Sequence, residues 1–116
     1  MAQGDITKEI ENDRIEVVLK WNIQIRRATK LMEEQADGSK KEMTRTFHRH
    51  TLVPFSSSRD SDGNWTHTET DLDKSNDGGA ESSEVKAIAN AAWSDAIKQE
   101  YKTWAEANPI AVGAGI

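Results

Sequence analysis

The stretch Arg14–Thr29, which reads RIEVVLKWNIQIRRAT, decides the fold. From Ile15 to Ile25 every odd position is apolar, and most of the even positions between them are polar. A period of two is typical of a β-strand with one buried face. The β-branched and aromatic side chains of the stretch favour the same conformation. We therefore predict one long strand here.

A turn signal follows at Asp37-Gly38, and a second strand-like run extends from Lys41 to Phe55. Asp-Gly between two such runs predicts a hairpin, because glycine adopts the positive φ that the turn requires. If Gly38 is the centre of the loop, residues equidistant from it pair and the apolar sets share one face. This register pairs Trp21 with Phe55, Ile23 with Val53, and Thr29 with Phe47. We expect the base of the hairpin to pack in the core and its polar tip to project or lie on a neighbour.

The rest of the chain predicts one more short strand and then helix. The alternating threonines of 65–72 indicate the strand, and from Ser83 the apolar residues recur at helical spacing. Ser83 is a candidate N-cap, Ser94-Asp95 a second cap that kinks or splits the helix, and Asn108-Pro109 its end. The predicted class is α+β: a long antiparallel β-hairpin plus a short third strand, covered by one or two C-terminal helices.

This organisation is that of a single domain over residues 1–116. Its predicted parts are an acidic N-terminal segment (1–13), the β-hairpin (14–55), an acidic loop with a short strand (56–82), a helical segment (83–108) and a tail (109–116).

Composition excludes several classes of protein. The chain has 116 residues, of which 35% are hydrophobic, and no cysteine. It is too short for a multidomain enzyme, has no disulfides, and lacks the roughly 18 consecutive apolar residues of a membrane span. The first residues carry no secretory pattern, so cytosolic synthesis is expected. A core this small favours a homo-oligomer or docking onto a larger surface.

Charge is distributed in blocks. Residues 14–50 have an excess of Lys and Arg, whereas both flanking segments are acidic and the whole chain carries −5. Such blocks suit self-association between the basic part of one copy and an acidic part of another, and a solvated surface is the alternative. The candidate partner-binding residues are Lys30, Lys40, Lys41, Arg45 and Arg49 on the hairpin, and Ile110, Val112 and Ile116 in the apolar tail.

Motifs for chemistry are weak. His48 and His50 are predicted to point to one face of a strand and could bind Zn²⁺ or Ni²⁺, but no third ligand lies in phase with them. The Asp60–Asn64 stretch lacks the spacing of a calcium loop. No phosphate-binding loop or nucleophile motif occurs, so we expect no catalytic residues, no cofactor and no enzyme activity. Nucleic-acid binding is disfavoured by the acidic net charge.

The last third of the chain carries a resemblance. The Thr/Asp-rich stretch 65–72 is followed by Glu84-Val85, Ile88, Trp93-Ser94-Asp95 and Tyr101. This pattern resembles that of small uncharacterised proteins of tailed bacteriophages, and it implies a virion or phage-accessory protein. The resemblance implies no catalytic residues in this chain.

These observations lead to a preferred function and two alternatives. The preferred one is a non-enzymatic phage virion structural or assembly protein, such as a capsid-decorating, neck or tail component, in the virion or in the host cytoplasm during assembly. One alternative is a phage-encoded acidic inhibitor of a host protein, which uses the carboxylates of residues 60–84. The other is a small metal- or nucleic-acid-binding domain centred on His48 and His50.

Overall fold

The computed structural model describes residues 4–109 and confirms the α+β class. Strands β1 (Ile6–Val18), β2 (Asn22–Glu34) and β3 (Lys40–Leu52) form a sheet in that order, and β4 (Phe55–Arg59) pairs with β5 (Trp65–Glu69) in a second sheet. Helices α1 (Ser83–Ala92) and α2 (Asp95–Ala107) follow.

The chain forms two compact units. Of the described residues, 4–16 and 24–50 form the strand unit, and 17–23 and 51–109 form the helical unit. Each is described by itself below.

The single strand predicted over residues 14–29 is wrong, because the chain reverses at Leu19-Lys20. These two residues have φ 56° and 72° and connect β1 to β2. Positive φ at both central residues is the mark of a type I′ hairpin turn. Such a two-residue turn pairs odd positions with even ones, so the apolar residues on its two sides face opposite ways. Accordingly Val17 is 46% exposed, whereas Ile23 is fully buried.

The loop at Asp37-Gly38 is confirmed, but its centre differs from the prediction. Gln35 N–H donates to the Ser39 carbonyl (2.7 Å) and Gly38 N–H donates to the Gln35 carbonyl (3.0 Å), so Asp37 is central and Gly38 has φ 85°. Since β2 begins at Asn22 and β3 ends at Leu52, the predicted partners Trp21, Val53 and Phe55 lie outside the paired strands.

A second small hairpin occupies the region predicted as loop after Phe55. The β4–β5 register pairs Phe55 with Glu69, Ser57 with His67, and Arg59 with Trp65. The carboxylate of Asp60 closes its loop by accepting the Asp62 and Asn64 N–H groups, both at 2.9 Å. The predicted third strand is thus confirmed as β5, with a partner strand that the serine-rich sequence did not indicate.

Two helices follow, and each begins after a serine N-cap. The prediction that Ser94-Asp95 is a second cap is confirmed. Ser82, one residue before the predicted cap, accepts the Val85 N–H at 3.2 Å. Ser94 accepts the Ile97 N–H at 3.3 Å and begins α2. A serine hydroxyl in this position satisfies an N–H group that the helix itself leaves without an acceptor.

An aromatic cluster forms the core of the helical unit. Tyr101 is 2% exposed, and its ring lies 5.7 Å from Trp21, 5.9 Å from Trp104 and 6.2 Å from Phe55. The Trp93 indole N–H donates to the Trp21 carbonyl at 2.8 Å. Such aromatic pairs add roughly 0.5–1.5 kcal/mol each beyond their buried area. Helix α2 therefore packs on β4 and on the residue that follows the β1–β2 turn.

Candidate functional site

Three of the five basic residues predicted to bind a partner are paired within the strand unit. Lys30 pairs with Glu11, Lys40 approaches Glu9 at 3.8 Å, and Arg45 lies 2.6 Å from Glu42.

Arg45 also lies 3.7 Å from Asp13, and Asp13 accepts two hydrogen bonds of 2.9 Å from Arg26. The hydrogen bonds from Arg26 hold the pKa of Asp13 below its usual value. The acidic N-terminal strand thus neutralises much of the basic region inside one chain, which removes the charge-block argument for self-association.

The other predicted partner-binding residues divide into two groups. Lys41 and Arg49 lie exposed on β3. Ile110, Val112 and Ile116 lie outside the described residues.

The structure adds little support for the two alternative sites, the His48–His50 pair and the acidic residues of 60–84. The rings of His48 and His50 lie 6.1 Å apart, and residues 4–109 contain no group of three or more His, Asp or Glu that could hold a metal ion. In the acidic stretch, Asp73 pairs with Lys86 (2.5 Å), Glu69 with Lys98 (3.0 Å), and Glu81 is buried.

An apolar groove of about 650 Å³ opens on the helical unit between the β1–β2 turn and α2. Its floor and walls are apolar and include Leu19, Trp21, Trp104 and Ala107. Leu19 is 67% exposed. Exposed apolar surface of this kind, bordered by polar groups, is typical of protein contact sites.

The backbone at the groove is strained where Leu19 stands. Left-handed φ is unfavourable for residues with a Cβ, and turns of this type favour Asn-Gly. Leu19 therefore has neither burial nor backbone preference in its favour. Strain of this kind concentrates at functional positions.

One cation and one anion stand on the rim of the groove. The ammonium of Lys20 lies 3.4 Å from a Glu100 carboxylate oxygen, and both side chains are about half exposed or more. A pair this exposed contributes little to stability, so both groups are available to a partner.

A second cavity of the helical unit, about 620 Å³, is lined by both polar and apolar side chains. The polar ones include Asn22, Ser57, Thr70 and Tyr101. The side-chain oxygen of Asn22 is buried and has no hydrogen-bond partner. This volume is in the range of small-molecule sites.

Ser57 connects this cavity to a relay of hydrogen bonds. Its Oγ lies 2.7 Å from His67 Nδ1, and His67 Nε2 lies 3.0 Å from Glu106 Oε2. Tyr101 also lines this cavity, and burial raises the pKa of Tyr101 above its usual value. The His67 side chain is 10% exposed.

Sequence reasoning missed both the groove and the relay. The groove depends on a turn at Leu19-Lys20, a dipeptide without turn character. The relay joins residues of β4, β5 and α2, and a Ser–His pair ten positions apart has no motif; only recognition of the β4–β5 hairpin would have paired them.

No protein-family model, no curated protein and no solved structure matches the chain. Among the residues described, no helix is long and apolar enough to cross a lipid bilayer.

Proposed function

We propose that this protein acts by binding other proteins, in the first place a second copy of itself, as a structural or assembly component of a tailed-phage virion. The phage context rests on the resemblance of the last third of the chain. The contact function rests on one observation: the apolar groove and the strained, exposed Leu19 beside it.

A second copy fits the groove because the surface is self-complementary. An apolar projection, Leu19, stands next to an apolar cleft formed with Trp104 and Ala107. Across a two-fold axis each copy would insert its Leu19 into the groove of the other. Lys20 of one copy would then meet Glu100 of the other, since both stand on the rim.

Sedimentation equilibrium of two charge variants tests this contact. Lys20→Glu alone and Glu100→Lys alone each place like charges across the axis, so each should dimerise more weakly than wild type. An equimolar mixture of the two should form a heterodimer, because opposite charges then meet at both positions.

The mixture separates contacts between chains from effects within one chain. In each variant residues 20 and 100 of the same chain carry like charges, and mixing does not change this. Recovery of dimerisation in the mixture therefore reports the contact between chains alone. Lys74→Glu, an equal charge change at an exposed position between β5 and α1, is the matched control and should leave association unchanged. A wild type that stays monomeric, or a mixture no tighter than its components, would refute the proposal.

A further inference from the structure

We propose that Ser57 is an activated nucleophile that accepts an acyl group from a small ester bound in the adjacent cavity. This inference goes beyond the proposed contact function and is independent of it. It depends on the relay Ser57–His67–Glu106 and on the cavity that Ser57 lines.

The direction of the hydrogen bonds follows from Glu106. Its side chain is 46% exposed and, as an ionised carboxylate, can only accept. Nε2 of His67 must therefore carry the proton and donate it to Glu106. In neutral imidazole Nδ1 is then the acceptor, so the Ser57 hydroxyl donates to it at 2.7 Å. This is the arrangement in which imidazole acts as a general base toward a serine.

The two nitrogens are exchanged relative to the usual Ser–His–acid relay, in which the serine bonds Nε2. The proton chemistry is unaffected, because either ring nitrogen can accept a proton while the other donates. His67 is held in its orientation from three sides. Glu106 bonds it, Trp65 stacks on it at 5.9 Å, and Phe55 lies edge-on at 6.0 Å.

The cavity supplies space for the ester. Its volume of about 620 Å³ accommodates a small molecule. The structure thus points to esters of modest size.

The reaction balances without a cofactor. Oγ of Ser57 forms a bond to the ester carbonyl carbon while its proton passes to Nδ1 of His67. The bond from that carbon to the alcohol oxygen breaks, and the departing alcohol takes the proton from Nδ1. The acyl group remains on Ser57 until water, deprotonated in the same way, hydrolyses it and restores the hydroxyl. Glu106 is a positioning residue that stabilises the transient imidazolium.

The test uses p-nitrophenyl acetate, with release of p-nitrophenolate followed by absorbance and the acetyl group located by peptide mass mapping. Wild type should acquire an acetyl group at Ser57, and Ser57→Ala should lose it. Ser58→Ala, an exposed position next along β4, is the matched control and should react as wild type.

Two further variants test the relay. His67→Gln should slow acylation roughly 10²-fold, because general-base assistance contributes about this much or more. Glu106→Gln retains a hydrogen-bond acceptor on an exposed face of α2 and should lower the maximal rate without raising the half-saturating ester concentration.

Three results would overturn the inference. One is acetylation confined to lysines, another is a Ser57→Ala variant that reacts as fast as wild type. The third is a folded Glu106→Gln variant whose acylation rate equals that of wild type. This variant tests the relay even if His67→Gln fails to fold.

Discussion

The two units of this chain are stabilised by different means. In the helical unit, aromatic rings around Tyr101 are buried between α2 and β4. In the strand unit Ile25 and Ala28 are buried, but Phe47 is 45% exposed and Met43 is 52% exposed. Asp13, Arg26 and Arg45 form a polar network there. The comparison teaches that a chain poor in apolar residues can concentrate its core in one unit and use charge pairing in the other. It also predicts different sensitivities to mutation and pH.

The largest effect should come from removing the centre of the aromatic cluster. Tyr101→Ala removes a ring that contacts Trp21, Trp104 and Phe55 and leaves a cavity. We expect a loss of about 3–5 kcal/mol in the free energy of unfolding, as for other large-to-small core substitutions. Phe47→Ala in the strand unit is the comparison and should cost well under half of that. Urea denaturation followed by far-UV circular dichroism measures both, because it reports strands and helices alike, whereas all four tryptophans lie in the helical unit. Equal losses would show that the two units do not differ as described.

A gain in stability should follow from relieving the strained turn. The double variant Leu19→Asn, Lys20→Gly supplies the residues that tolerate φ 56° and 72°. We expect stabilisation of about 1–2 kcal/mol, since left-handed backbone costs other residues roughly that much. The same denaturation measurement applies, and Asp37→Asn at the other loop controls for adding an asparagine to a turn. A destabilised double variant would contradict the strain assigned to Leu19.

The strand unit should show the stronger dependence on acid. The folded-state pKa of Asp13 is lowered, first by the hydrogen bond from Arg26, so its contribution is full above its ordinary pKa of about 4. That contribution is lost as pH falls through the lowered folded-state value. Asp13→Asn should therefore be less stable than wild type at pH 7 and differ little from it near pH 2. Parallel stability curves for wild type and Asp13→Asn would contradict this account of the ion pair.

The smallest effect is spectroscopic. Tyr101 is the single tyrosine, so its ionisation can be followed by absorbance without interference from another tyrosine. Burial is the first cause of its raised pKa. Trp104→Ala removes a ring 5.9 Å from that of Tyr101 and opens the cluster to water, so it should move the titration to lower pH, whereas Ser58→Ala should not. An unchanged titration in Trp104→Ala would contradict burial as the cause.

The sequence predicted elements well where local chemistry is decisive. The glycine at position 38 and the capping serine at 94 mark their turn and helix start directly. The prediction was wrong at Leu19-Lys20. The alternation of apolar residues continues through a two-residue turn, so it cannot show that the apolar side chains change to the opposite face of the sheet after the turn. Sequence reasoning could not find the groove or the Ser57 relay, since both depend on packing between segments far apart in the chain.

The central claim is that Leu19 is retained at a strained turn because it contacts a second copy. Sedimentation velocity of Leu19→Asn, Lys20→Gly beside wild type, across the same protein concentrations, tests it most directly. We predict that wild type shifts from monomer to dimer as concentration rises, whereas the better-folded variant remains a monomer. A variant that dimerises as wild type does would contradict the claim.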